Sequence, residues 1–208
     1  MRASSRRATR TRRLNFDVGL VRNGAAGGRV WAAAAFCHLA CENAANQTAI
    51  AEAGAIPPLV ALLTNGTVGG QWSAVCALVN IAVKHEANKV AIVAADAVDP
   101  LYAVARGAGG SLKATAVKAL KVLRRHALAW ALPRRKRRVY PLLLVAGAAI
   151  PPDADDAYLR KVAAAGGFPA YEKAHRQALD ALAAKAFVRL PTEVAAHVVS
   201  FAFHVGYY

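Results

Sequence analysis

The chain has few of the residues that would staple or specialise it. Only three of its 208 residues are cysteine: Cys37, Cys41 and Cys76. An odd, low count with no spacing framework excludes a disulfide-built secreted scaffold. Cys37 and Cys41 stand four apart beside His38, but no second ligand pair completes a tetrahedral metal cage. The thiols are therefore expected as small apolar groups on a helix. Aromatic residues are scarce too, at 7%. With so much alanine, that composition suits closely stacked helices better than a large β core. No apolar run approaches the roughly 20 residues of a membrane-spanning helix. The longest, residues 139–150, is interrupted by Pro141 and Gly147. The N-terminus lacks the apolar stretch of a secretory signal.

Catalytic patterns are missing as well. The six histidines are scattered, and Glu193 and His197 lie four apart without forming HExxH. There is no nucleophile elbow, phosphate loop or dinucleotide fingerprint. The pairs Gly27-Gly28, Gly69-Gly70 and Gly109-Gly110 recur close to the repeat period described below, so they read as turns. The sequence thus points to a non-enzymatic protein with no cofactor and no metal.

What is present is positive charge, unevenly placed. The formal charge is +15. Residues 1–24 hold seven arginines against one aspartate, and residues 124–138 hold seven cations and no acid. The remaining stretches are nearly balanced. Two short blocks therefore carry almost all the basicity.

Also present is an internal repeat. Shifted by 42 residues, the sequence matches itself without a gap: Ala45-Asn46 returns as Ala87-Asn88, Pro58-Leu59 as Pro100-Leu101, and Ala77-Leu78 as Ala119-Leu120. The shift also works backwards, aligning Leu20, Asn23 and Gly24 with Leu62, Asn65 and Gly66. One clear unit, about residues 43–84, is flanked by two divergent ones, and the first lacks its opening helix. Each unit reads as three helices. In the middle unit Gly54 closes the first. Pro57-Pro58 sits early in the second, where a missing N–H costs little. Asn65-Gly66 ends the second, Gly69-Gly70 makes a turn, and the third is expected over about Gln71–Val83. Ala74, Ala77, Leu78 and Ile81 give that last helix the spacing of a buried face.

Residues 46–63 (NQTAIAEAGAIPPLVALL) resemble the first two helices of an armadillo repeat, and residues 74–82 (AVCALVNIA) resemble the third. The resemblance spans about residues 14–125. It implies an all-α fold, a short right-handed α-solenoid with a helical C-terminal cap. It also implies a non-enzymatic scaffold that binds a protein or peptide along the concave surface lined by third helices. In the family, asparagines on those helices hold extended peptides, and Asn80 matches that ladder position. An asparagine amide offers both a donor and an acceptor to a peptide backbone. Residues four apart share a helix face, so the lane through Asn80 contains Trp72 and Cys76. The 42-residue shift adds His38 from the first unit and Lys118 from the third. Cys76 stands where the peptide-carrying members have tryptophan, and a single ladder asparagine remains. Both departures point away from nuclear-import cargo, while Lys113, Lys118 and Lys121 favour an acidic ligand.

The densest charge cluster is Arg134, Arg135, Lys136, Arg137 and Arg138. It resembles a monopartite nuclear-localisation signal, which makes an importin a candidate partner. The alternative function is a basic binder of nucleic acid or an anionic membrane surface through the same block. A solvated linker fits the cluster equally well. Residues 139–150 resemble part of an ankyrin repeat, and Leu190-Pro191-Thr192-Glu193 resembles the start of an F-box, which would suit an adaptor for protein turnover. The expected organisation is a basic tail (1–13), the repeat array (14–125), a basic linker (126–140) and a helical subdomain (141–208). The expected localisation is cytoplasmic, nuclear or both.

Overall fold

A computed structural model of the chain describes residues 14–15, 17–134, 136–145, 147–152 and 154–186, with side chains to residue 181. The basic tail, Arg135 and the segment from Leu190 onward lie outside the described residues. Every regular element among those described is helical. The chain divides into two compact units, residues 1–130 and 131–208.

The first unit repeats in its backbone as it does in its sequence. Its helices are α1 (residues 17–23), α2 (Ala26–Ala40), α3 (Ala44–Glu52), α4 (Ile56–Asn65), α5 (Val68–Ala82), α6 (Glu86–Ala94), α7 (Val98–Gly107) and α8 (Gly110–Ala131). Helices α3 to α5 are one complete three-helix unit, preceded by a unit represented by α1 and α2 and followed by α6 to α8. Left-handed residues fall at the same place in successive units. Glu42 (φ 50°) returns as Lys84 (φ 59°), and Gly54 (φ 77°) returns as Asp96 (φ 57°). Glycine takes that conformation without a Cβ clash, and aspartate is among the few other residues that tolerate it.

Helix termini are fixed by the same side chains at the same period. Asn46 donates from Nδ2 to the Leu39 carbonyl at 2.7 Å, and Asn88 donates to the Ile81 carbonyl at 2.9 Å. Each satisfies a carbonyl in the last turn of a third helix, which has no partner within that helix. Asn88 is buried and reaches a second carbonyl, that of Gln47, at 3.3 Å. At the start of α3, Asn43 accepts the Asn46 amide at 3.0 Å, a side-chain N-cap.

One local expectation needs correcting. Gly69-Gly70 is not a turn but part of the first turn of α5. The Thr67 hydroxyl caps the helix by accepting the Gly70 amide at 3.2 Å. The turn lies one step earlier, at Gly66, where a Cβ would collide with the Leu62 carbonyl. Helix α8 also runs further than its predecessors, to Ala131. Its sequence offers no breaker before Pro133.

The core of the first unit lies between third helices. Helices α2 and α5 share an extensive contact there. Ala33, Phe36 and Ala40 of α2 and Ala74, Ala77 and Ile81 of α5 are all fully buried. Alanine lets the two backbones approach, while Phe36, Leu78 and Ile81 supply area, each contributing about 1.5–3 kcal/mol by burial. No single helix among the described residues is long and apolar enough to cross a membrane.

The second unit contains a short 3-10 turn (Arg137–Val139), α9 (Tyr140–Val145), α10 (Ala157–Ala164) and α11 (Phe168–Ala186). Val139, Tyr140, Leu143, Leu159, Val162 and Phe168 form its core. Asp156 organises it. Its Oδ1 caps α10 by accepting the Tyr158 amide at 2.9 Å, while its Oδ2 accepts from Arg137 Nε at 3.1 Å. Helix α10 accordingly begins at Ala157, directly after this cap. Gly166 and Gly167, at φ 86° and 109°, separate α10 from α11.

Candidate functional site

The side chains singled out from sequence occupy one side of α5 and its two neighbours. On α5, Trp72 is 45% exposed, Cys76 and Asn80 are half-buried, and the next faces round the helix are closed. Spacing by four residues accounts for this, since it keeps the three on one strip while Ser73, Ala77 and Ile81 turn into the core. His38 on α2 and Lys118 on α8 are exposed.

Asn80 does not stand alone in this strip. Its Nδ2 donates to the Cys37 carbonyl of α2 at 2.9 Å and lies 3.4 Å from Cys37 Sγ. The amide nitrogen is therefore committed to joining two units. The sequence shift pairs Asn80 with His38, whereas the side chain reaches the residue before it. Sequence reasoning missed Cys37 in this role. The signal that would have found it is the offset of one residue where neighbouring third helices cross.

The thiols of Cys37 on α2 and Cys76 on α5 lie near enough to influence each other's ionisation. Burial raises the pKa of Cys37. Burial, with Cys37 alongside, pushes Cys76 up to about 11, opposed only in part by the Lys118 ammonium. Both are thus neutral thiols near pH 7 and poor nucleophiles. Cys41 is exposed at the end of α2. No group of three or more histidine, cysteine or acidic side chains among the described residues is placed to hold a metal ion. Cys76, with the Cys37 thiol near it on one side and the Lys118 ammonium on the other, thus sits at the middle of a strip drawn from three helices.

A separate apolar recess of about 540 Å³ opens between α4, α7 and the first turns of α5 and α8. Leu63, Val68, Pro100, Val104 and Leu112 line it, and none of the strip residues does. Gln71 on its wall is tied to the Leu63 carbonyl at 2.8 Å.

The basic cluster is placed in the second unit's fold. Arg134, Arg137 and Arg138 are exposed and Lys136 is half-buried. Arg137 is bound to Asp156, and Arg137–Val139 form a 3-10 turn whose Val139 is fully buried. This part of the cluster is a folded turn and not an extended strand.

Residues 43–83 match the model of the armadillo/beta-catenin-like repeat family. No curated protein matches the chain. Among solved structures, it is similar to the crystal structure of an engineered protein, at 21% identity with a TM-score of 0.56, over 92% of this chain and 70% of the other. At that identity the likeness concerns the fold alone. Residues 43–83 thus match an armadillo repeat, and the described helices form an all-helical repeat-solenoid fold.

Proposed function

We propose that the chain is a non-enzymatic scaffold that binds an extended peptide or a protein segment along the strip formed by Trp72, Cys76 and Asn80. His38 and Lys118 stand at its two ends. The observation that carries this reading is the strip itself: an exposed tryptophan, an asparagine with its carbonyl oxygen unengaged, and a lysine, contributed by successive third helices. Tryptophan supplies contact area at little entropic cost. The amide oxygen accepts a backbone N–H. Lys113, Lys118 and Lys121 on α8 are exposed and favour acidic side chains at one end of the ligand.

The test is selection of peptides from a displayed random library against the full chain, followed by affinity measurement on variants. The double change Trp72→Ala, Asn80→Ala is expected to weaken the selected peptides by at least about tenfold, the scale of losing a central aromatic anchor. The helical signal should not change. Unaltered affinity would reject the strip. A second reading, attachment to nucleic acid or an anionic membrane surface, rests on the exposure of Arg134, Arg137 and Arg138. Such binding must fall steeply between low and moderate salt; affinity independent of salt rejects it.

A further inference from the structure

Helices α2 and α5 lie side by side in a fixed register. Near their starts, a Cβ added at Gly70 would meet Val30 Cγ2 at 3.5 Å. Further along both, Asn80 Nδ2 donates to the Cys37 carbonyl at 2.9 Å and lies 3.4 Å from Cys37 Sγ. The two helices therefore run in the same direction, and Cys37 stands level with the part of α5 that holds Asn80. Cys76 belongs to that part, one turn before Asn80 on the same strip. The influence of the two thiols on each other's ionisation fits that placement. A disulfide needs Cα atoms within about 7 Å, and the fully buried Ala33, Ala74 and Ala77 let these backbones approach. The repeat itself does not ask for a thiol pair. At the next joint the same two places hold Val79 and Lys118.

We propose that Cys37 and Cys76 form a redox-sensitive staple between α2 and α5: two thiols in a reducing medium, and a disulfide when a small-molecule disulfide is supplied as oxidant. The chemistry is two thiol–disulfide exchanges. Cys37 gives up its proton and its sulfur attacks the oxidant, forming a mixed disulfide and releasing one small thiolate. Cys76 then gives up its proton and attacks Cys37 Sγ. The Cys37–Cys76 bond forms, the mixed disulfide breaks, and a second small thiolate leaves. The two protons end on the two released thiols, so two protein thiols are oxidised and one oxidant disulfide is reduced. The surroundings assign the order. The Asn80 amide faces Cys37 Sγ, and an N–H there favours the charged sulfur that attacks first. The Lys118 ammonium favours the Cys76 thiolate needed second. Burial makes the first exchange slow, while the second is intramolecular and fast. Burial also denies the open pair the stabilised thiolate that makes a disulfide strongly oxidising, so the bridge persists once formed. It ties the joint between two units, and it does so whether or not the strip binds a peptide.

The test uses the full chain carrying Cys41→Ser, which removes the exposed thiol and with it bonds between molecules. Cys41→Ala is a second version should the serine disturb the helix end. The protein is incubated with oxidised glutathione at about pH 8.5, where a larger thiolate fraction speeds exchange, and free thiols are counted after denaturation. Loss of both remaining thiols is expected, with the helical signal unchanged. Cleavage after Glu42 and Glu52 separates Cys37 from Cys76, so mass spectrometry should find their two peptides joined until a reductant parts them. The urea midpoint should rise by at least about 0.5 M over the reduced protein, because the bridge removes freedom from the unfolded chain. Cys37→Ser, with Cys41 kept, should leave the two peptides unjoined. Joining as complete in that variant as in Cys41→Ser would mean that the thiols meet without this register, and would overturn the proposal. So would two free thiols or two glutathione adducts surviving the oxidation, or a bridged chain that unfolds at lower urea than the reduced one.

Discussion

Helices α2 and α5 are the same helix in successive units, yet among the described residues one is enclosed on its outer side and the other is not. Their sequences differ where their surroundings differ. At one register position α5 has a serine, 3% exposed, and α2 has a tryptophan, 76% exposed. The small residue allows the neighbour's backbone to come close; the large one fills space that no described helix occupies. A residue's size in a solenoid is thus set by the next unit as much as by its own helix, because each unit buries its face only against its neighbours.

Exchanging those two residues would break the comparison most sharply. Ser73→Trp forces an indole into the α2–α5 contact. Overpacking of this extent should cost at least about 3 kcal/mol or prevent folding. Trp31→Ser removes a side chain that touches little and should move stability by no more than about 0.5–1 kcal/mol. Urea denaturation followed by circular dichroism measures both. Equal effects would mean that the two faces are equally enclosed.

A finer contrast uses the asparagines that close the third helices. Asn88→Ala strands the carbonyls of Ile81 and Gln47, and Asn88 is buried. The expected loss is about 2–3 kcal/mol, the cost of leaving buried acceptors without partners. Asn46→Ala removes one bond, to Leu39, in a half-exposed setting where water can replace it. About 1 kcal/mol or less is expected there. If the two variants shift the urea midpoint alike, enclosure does not govern the strength of these caps.

Much of this could be read from the chain itself, and the parts that could not share a cause. The 42-residue period was legible because Asn46 and Asn88, which pair the carbonyls closing the third helices, and Ala77 and Ala119, buried on those helices, recur at it. The open strip on α5 was legible because helical spacing alone separates Trp72, Cys76 and Asn80 from Ser73, Ala77 and Ile81. The start of α10 was not. Asp153, Asp155 and Asp156 are all suitable caps by type, and the choice falls on Asp156 because Arg137, nineteen residues away, holds its other oxygen. The first turn of α5 was misread because two glycines suggest a turn, while the Thr67 hydroxyl is placed to start a helix through them. Asn80's partner was missed for the same reason. Its bond to Cys37 depends on how two helices cross, and periodicity within one helix carries no information about that.

The smallest effect concerns a contact that the third unit has and the middle one lacks. Glu86 of α6 pairs with Lys89 in its own helix and with Arg125 and His126 of α8, His126 Nε2 lying 2.8 Å from its carboxylate. Ala44 holds the equivalent position in the middle unit. Hydrogen bonds from Lys89 and then His126 hold the Glu86 pKa down at about 2, from an ordinary 4.5. A carboxylate whose pKa is lower folded than unfolded stabilises the fold above the unfolded value, and that contribution disappears as pH falls through the folded one. Glu86→Gln should therefore lower the urea midpoint slightly at pH 7. The gap from the parent protein should close as pH falls from about 4.5 to about 2. Because the side chain is 61% exposed, added salt at pH 7 should shrink the same gap. A difference that persists at pH 2, or that salt leaves untouched, would assign the effect of Glu86 to packing and not to its charge. The tie between α6 and α8 would then rest on the same apolar contacts as the middle unit.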